Sequence, residues 1–189
     1  MRIRILKRPK LVLSSFAGLT ALGAIGAALV GPALPITGKG TFCLARSTGT
    51  SLTGIEGAST SGGCATLSDK GTLSTDLTTG EIPFQGGLRL YTPQHRLDVR
   101  NLVFHIDSRT ATADLSVDDA RPAHVTFLTY SINPGHVTVA YPSVKATSVS
   151  LHLAGSAGPS FLRAFPASPV GIHDKLLVFN GTAAFTKVQ

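Results

Sequence analysis

No tryptophan occurs in this chain of 189 residues, and it has only two cysteines, one methionine and three tyrosines. Charge is scarce too: 14% of residues are Asp, Glu, Lys or Arg, and only 10 are acidic. Each shortage excludes something. Two cysteines cannot supply a four-cysteine zinc site or a disulfide-dense miniprotein. At 43% hydrophobic residues and so little charge, the chain is too apolar for intrinsic disorder. Glycine and proline are raised but follow no three-residue period, which excludes collagen. A nucleophile elbow, a P-loop, an H-E-x-x-H zinc motif and a Gly-rich dinucleotide fingerprint are all missing. No catalytic residue and no metal ligand set is therefore assigned, and the chain is read as a non-enzyme. Asp114, Asp118 and Asp119 come nearest to an acidic cluster. Asp118-Asp119 falls at a strand end before Arg121-Pro122 and is read as a solvated turn.

The formal net charge of +7 invites a search for an anionic partner. Its distribution answers otherwise. Arg2, Arg4, Lys7, Arg8 and Lys10 precede an uncharged run from Leu11 to Val30, and small residues follow at Gly26, Ala28, Gly31 and Ala33. A basic start, an apolar middle and a small-residue exit describe an export signal peptide over residues 1–33, with cleavage after Ala28 or Ala33. The rival reading is a retained membrane anchor, which would make an uncleaved segment the chain's one contact with a membrane. Without those first bases, 12 bases face 10 acids, a net charge of +2 spread along residues 34–189. A nucleic-acid partner needs a dense basic face, and none is present.

Residues 34–189 read as a single domain. Cys43 and Cys64 flank a segment rich in Ser, Thr and Gly, read as a loop over 46–63; in an oxidising compartment two such cysteines pair as a disulfide. From residue 86 onward, apolar and polar residues alternate with period two. Leu97, Val99, Asn101, Val103 and His105 would face one way and Leu102, Phe104 and Ile106 the other. Asp107-Ser108-Arg109 and Asn133-Pro134-Gly135 are turns. Further strands are expected over Ala111–Val117, His124–Ile132, Val137–Tyr141, Val149–Leu153, Leu176–Phe179 and Ala183–Val188. One helix is expected over Ser156–Phe165, started by Pro159 and stopped by Pro166, with Phe161, Leu162 and Phe165 as its apolar stripe. The fold class is all-β, an antiparallel β-sandwich with one or two short helices.

The run Gly86-Gly87-Leu88-Arg89-Leu90-Tyr91-Thr92-Pro93-Gln94-His95-Arg96-Leu97-Asp98-Val99 resembles the core of the HtaA domain, a family of secreted and envelope proteins of actinobacteria. The likeness continues through Asn101–Asp107 and Thr110–Val117. A second block, Val149–Ala157 running on to Phe161–Phe165, is similar to the family's later strand and helix. The resemblance covers about half of residues 34–189. It implies a β-sandwich that binds haem through a tyrosine supported by a histidine, a chemistry in which an anionic hard ligand suits ferric iron. His95 falls on the family's Gly-His turn, with Gln94 in place of its glycine. The family's ligand tyrosine belongs to a tryptophan-led N-terminal segment with no counterpart here; Tyr91 is the nearest substitute. The expectation is thus a secreted or cell-envelope binding or structural module whose haem site is degenerate. The alternatives are a haem-binding protein of haem or iron uptake using His95 and Tyr91, and a secreted hydrolase without a recognisable motif. Haem or another envelope protein is the partner expected.

Overall fold

Period-two alternation builds the long strands, and it begins well before residue 86. The computed structural model describes residues 32–45 and 49–186. Residues 1–31 of the expected export segment, and Val188 of the expected last strand, lie outside the described residues. Strand β1 (Ala33–Leu44) buries Ile36 and Phe42 and exposes Thr37 and Lys39. The 46–63 segment, expected as a loop, instead holds β2 (Ser51–Ile55) and β3 (Ser59–Ser61). β4 (Cys64–Ser74) buries Ala65, Leu67, Asp69 and Leu73 and exposes Ser68, Lys70 and Thr72. β5 (Gly80–Gln85), β6 (Gly87–Tyr91), β7 (Arg96–His105), β8 (Thr110–Val117), β9 (Ala123–Tyr130), β10 (Val137–Ala140), β11 (Ser143–Leu153) and β12 (Lys175–Phe185) follow.

Every pairing among these strands is antiparallel. β7, β5, β4, β1, β12, β11, β9 and β8 neighbour one another in that order, and β8 pairs with β7 again. These eight strands therefore close a barrel, with β3 against β4, β10 against β11, and the β2–β6 ribbon appended to β7. The antiparallel all-β class expected from the sequence holds. The two sheets of a sandwich are here one hydrogen-bonded circuit, in which each of the eight strands has a partner on both sides.

Two bulges correct the expected alternation. Asn101 sits at φ +50°, and the β7–β8 register slips between Arg100 and Val103. Leu97 and Val99 before it, and Leu102, Phe104 and Ile106 after it, are all buried in the core, where unbroken alternation would set the two groups on opposite faces. Ser148, at φ +53°, does the same in β11 between Ala146 and Val149. A single-residue phase change is invisible to a period count.

The core is aromatic at its centre. The Phe42 ring lies 5.3 Å from Phe84, 6.0 Å from Phe104 and 5.1 Å from Phe179, and Phe104 lies 5.1 Å from Tyr130. Tilted and edge-on rings at such spacings contribute beyond their burial. Gly40 and Gly181 admit the cluster: a Cβ on either would fall within 2.7 Å of the Phe179 ring. A second cluster, Ile36, Leu73, Ile106, Val144 and Phe185, forms its own apolar group. The expected helix is a 3-10 turn (Gly155–Ala157) followed by α1 (Gly158–Ala164), with Pro159 in its first turn. Phe161, Ala164 and Phe165 are buried, but Leu162, placed in the expected stripe, is exposed. Among the described residues no helix is long and apolar enough to cross a membrane.

Cys43 and Cys64 are direct cross-strand partners in β1 and β4 and form the expected disulfide. Bridging a separation of 21 residues removes unfolded-chain freedom equivalent to about 3 kcal/mol in the loop-entropy view.

Asp69 occupies a core position of β4, and its Oδ1 is buried without a hydrogen-bond partner. Burial raises its pKa from the ordinary carboxylate range to about 6. The folded chain therefore holds this proton more tightly than the unfolded chain. The fold is most stable, as far as Asp69 is concerned, below pH 4. It loses about 2 kcal/mol as pH rises from 4 through 6. Asp69→Asn should melt higher than the wild type at pH 7.5, with the gap closing as the buffer is taken to pH 4. A gap that does not change with pH would show that Asp69 is not ionising in the core.

Candidate functional site

The β6–β7 hairpin carries both residues singled out for ligand contact, and its turn is built by Thr92. The Thr92 N–H donates to the His95 carbonyl at 2.8 Å, and the Thr92 hydroxyl accepts the His95 N–H at 3.1 Å. Pro93 fixes one backbone angle between them. Tyr91 ends β6 and is 41% exposed. β8 pairs with β7 so that Leu97 faces Val117, which brings the residue after β8 beside the start of β7.

That residue is Asp118. It and Asp119 sit at φ +48° and +65°, a backbone region that aspartate tolerates better than most side chains. Asp118 Oδ2 lies 2.8 Å from His95 Nδ1, and its Oδ1 accepts the Arg96 N–H at 2.8 Å. These two bonds, His95 first, hold the Asp118 carboxyl below its usual pKa. An ionised carboxylate can only accept, so the neutral His95 ring carries its proton on Nδ1 and keeps a lone pair on Nε2. The solvated turn expected at Asp118-Asp119 is there, and it also orients the histidine. The signal was the register of two strands brought together from 22 residues apart, not a local motif.

Beside the turn lies a charge network built on Arg89, Arg96, Arg100 and Asp98, which already stand out in the sequence as a cluster of bases around one acid. Arg89 grips Asp98 with both arms, Nε to Oδ1 at 2.6 Å and Nη2 to Oδ2 at 2.8 Å. Arg100 reaches the same carboxylate at 3.1 Å and pairs with Glu56, while Arg96 pairs with Asp119. The Asp98 side chain is only 3% exposed. Burial opposes its charge, yet the Arg89 bonds and the surrounding guanidinium groups prevail and lower its pKa.

Tyr91 and His95 line one open cleft of about 410 Å³, shared with Thr53, Arg89, Arg96 and Asp118. Histidines outside the cleft have structural partners: His105 Nε2 meets the Thr112 hydroxyl at 3.0 Å, and His124 Nδ1 meets Asp114 at 2.7 Å. His152 Nδ1 lies 3.0 Å from the His173 carbonyl. Among the described residues no group of three His, Cys, Asp or Glu could hold a metal ion.

A haem slot requires apolar walls for the macrocycle and free donors for its carboxylates. The cleft has one metal-competent imidazole, at His95, and one phenol, at Tyr91. Its exposed walls are polar and apolar in equal parts rather than apolar, and both of its guanidinium groups already pair with Asp98 and Asp119. These residues do not fit a buried haem.

No family model matches this chain, and its sequence matches no curated protein. Its fold is shared with solved structures. The C-terminal domain of HtaA from Corynebacterium glutamicum superposes with a TM-score of 0.60 at 15% identity, covering 81% of this chain and 99% of that one. The N-terminal domain of the same protein gives a TM-score of 0.55 at 16% identity, covering 79% and 98%.

Two outcomes are expected at this site. Arg89→Met leaves the Asp98 carboxylate buried with its main partner gone, and chemical denaturation should show a loss of about 3 kcal/mol. Nitrogen-15 spectra of the histidine rings should show His95 protonated on Nδ1 when neutral. In Asp118→Ala the signal should move toward the Nε2–H form; an unchanged pattern would mean that Asp118 does not set the tautomer.

Proposed function

We propose that this chain is a non-enzymatic binding or structural module of HtaA-like fold that works outside the cytoplasm, with a haem site that is degenerate. The single observation that carries this reading is the chemistry of the Tyr91–His95 cleft on a barrel of HtaA-domain architecture. Half of the cleft's wall is polar, and its arginines are paired with carboxylates. An oxidising compartment agrees with the Cys43–Cys64 bond and with the basic, then apolar, first 33 residues of the sequence.

A second reading rests on a specific feature of the site. His95 is braced by a carboxylate through Nδ1, the arrangement that orients imidazoles for iron, and Tyr91 lines the same cleft. In that case haem sits at the surface, against His95 and Tyr91, and the chain serves haem or iron uptake.

Hemin titration followed in the Soret region separates the two. The degenerate site should give no saturable band shift. A saturable shift that is abolished in His95→Ala and in Tyr91→Phe would overturn that expectation and establish the second reading.

A further inference from the structure

We propose that the barrel interior beside Asp69 is a binding site for a short apolar chain ending in a primary ammonium group. The site is separate from the Tyr91–His95 cleft and does not depend on how that cleft is read.

A cavity of about 80 Å³ lies between the phenylalanine cluster and the second apolar group, walled by Phe84, Phe104 and Phe179 on one side and Ile36, Leu73 and Val144 on the other. An engineered apolar cavity of roughly 150 Å³ accepts benzene, so this one, about half that size and open on one side, takes the first few atoms of an alkyl chain. Small residues keep the space open: Ala146, Gly181 and Ala183 stand on its wall where larger side chains would fill it.

Its chemistry is lopsided. Asp69 brings a carboxylate to an otherwise apolar wall, is 8% exposed, and leaves Oδ1 buried and unpartnered. Lys39 also lines the cavity but forms no ion pair with Asp69. The missing partner is therefore a donor, and a cationic donor satisfies a buried carboxylate best. A ligand with a carboxylate head would meet Asp69 with like charge. A purely apolar ligand would leave Oδ1 as orphaned as it is without one.

The test uses the purified chain at pH 7.5 with three four-carbon probes, n-butylammonium, 1-butanol and butanoate, followed by methyl-resolved NMR. Butylammonium should shift the methyl signals of Ile36, Leu73 and Val144 saturably, and butanoate should not. Asp69→Asn, a near-isosteric change, should weaken butylammonium at least tenfold while the remaining spectrum stays folded. Ala146→Leu should block the space and abolish binding with Asp69 still present. The absence of any saturable shift would leave the cavity to water and overturn the proposal. So would equal affinity for butanol or retained affinity in Asp69→Asn.

Discussion

The structure depends on one strand serving three partners. Along one edge β7 pairs with β8 over nearly its whole length. Along the other edge it pairs first with β6, from Arg96 to Val99, and then with β5, from Val103 to His105. The change of partner falls at the Asn101 bulge. There the backbone turns through φ +50°, and the Asn101 amide donates to Asp114 on β8 at 2.7 Å. Without that change β5 could not enter the circuit and the barrel would stay open. With it, β6 is pushed off the circuit and carries Tyr91 and the Thr92–His95 turn away from the core. The same irregularity closes the barrel and sets the hairpin outside it.

Much of this was legible in residues and much was not, for physical reasons that differ element by element. The hairpins after residue 86, the turns at Asp107–Arg109 and Asn133–Gly135, Pro159 at the helix start and the Cys43–Cys64 pair follow from local chemistry, and the structure has all of them. Strands β1 to β5 were harder. Their inward positions include Gly38, Gly40, Asp69 and Gly71, so the apolar beat is interrupted where the interior needs room. The bulges at Asn101 and Ser148 defeat a period count because the count assumes an unbroken phase. At the site, His95 and Tyr91 stand near each other in sequence and could be paired by inspection. Asp118 could not, because its meeting with His95 is set by barrel register.

The charged residues make a further constraint on function. On the β6–β7–β8 face each of Arg89, Arg96 and Arg100 has a carboxylate partner, and Asp98 is shared by two of them. Such a network sets the geometry of the hairpin, because a buried Asp98 without its arginines would be costly. It also closes off the usual use of a basic cleft. An anionic ligand in the cleft would compete with Asp98 for Arg89 and with Asp119 for Arg96, so part of any gain in new pairs would be offset by weakening the old ones. Most of the charge on this face is thus balanced within the chain, with the buried Arg96 Nε left as a donor without a partner.

Asp69 presents the opposite economy. Asp98 lies under guanidinium groups that balance it, whereas Asp69 lies beside Phe84 and across from Gly38 with nothing to balance it. Nothing in the barrel needs a carboxylate there. A leucine at the same inward position would continue the pattern of Leu67 and Leu73 and fill part of the adjoining space. Local rules and global packing agree nearly everywhere else in β4, so their conflict at this one residue is the kind that folding alone does not explain. The barrel carries a cavity it could have filled and a charge it could have omitted, and the two are in contact. A void alone reads as imperfect packing, and a buried acid alone reads as a proton held in the core. Together, with an acceptor left vacant at the wall of an apolar space, they have the complementarity of a site.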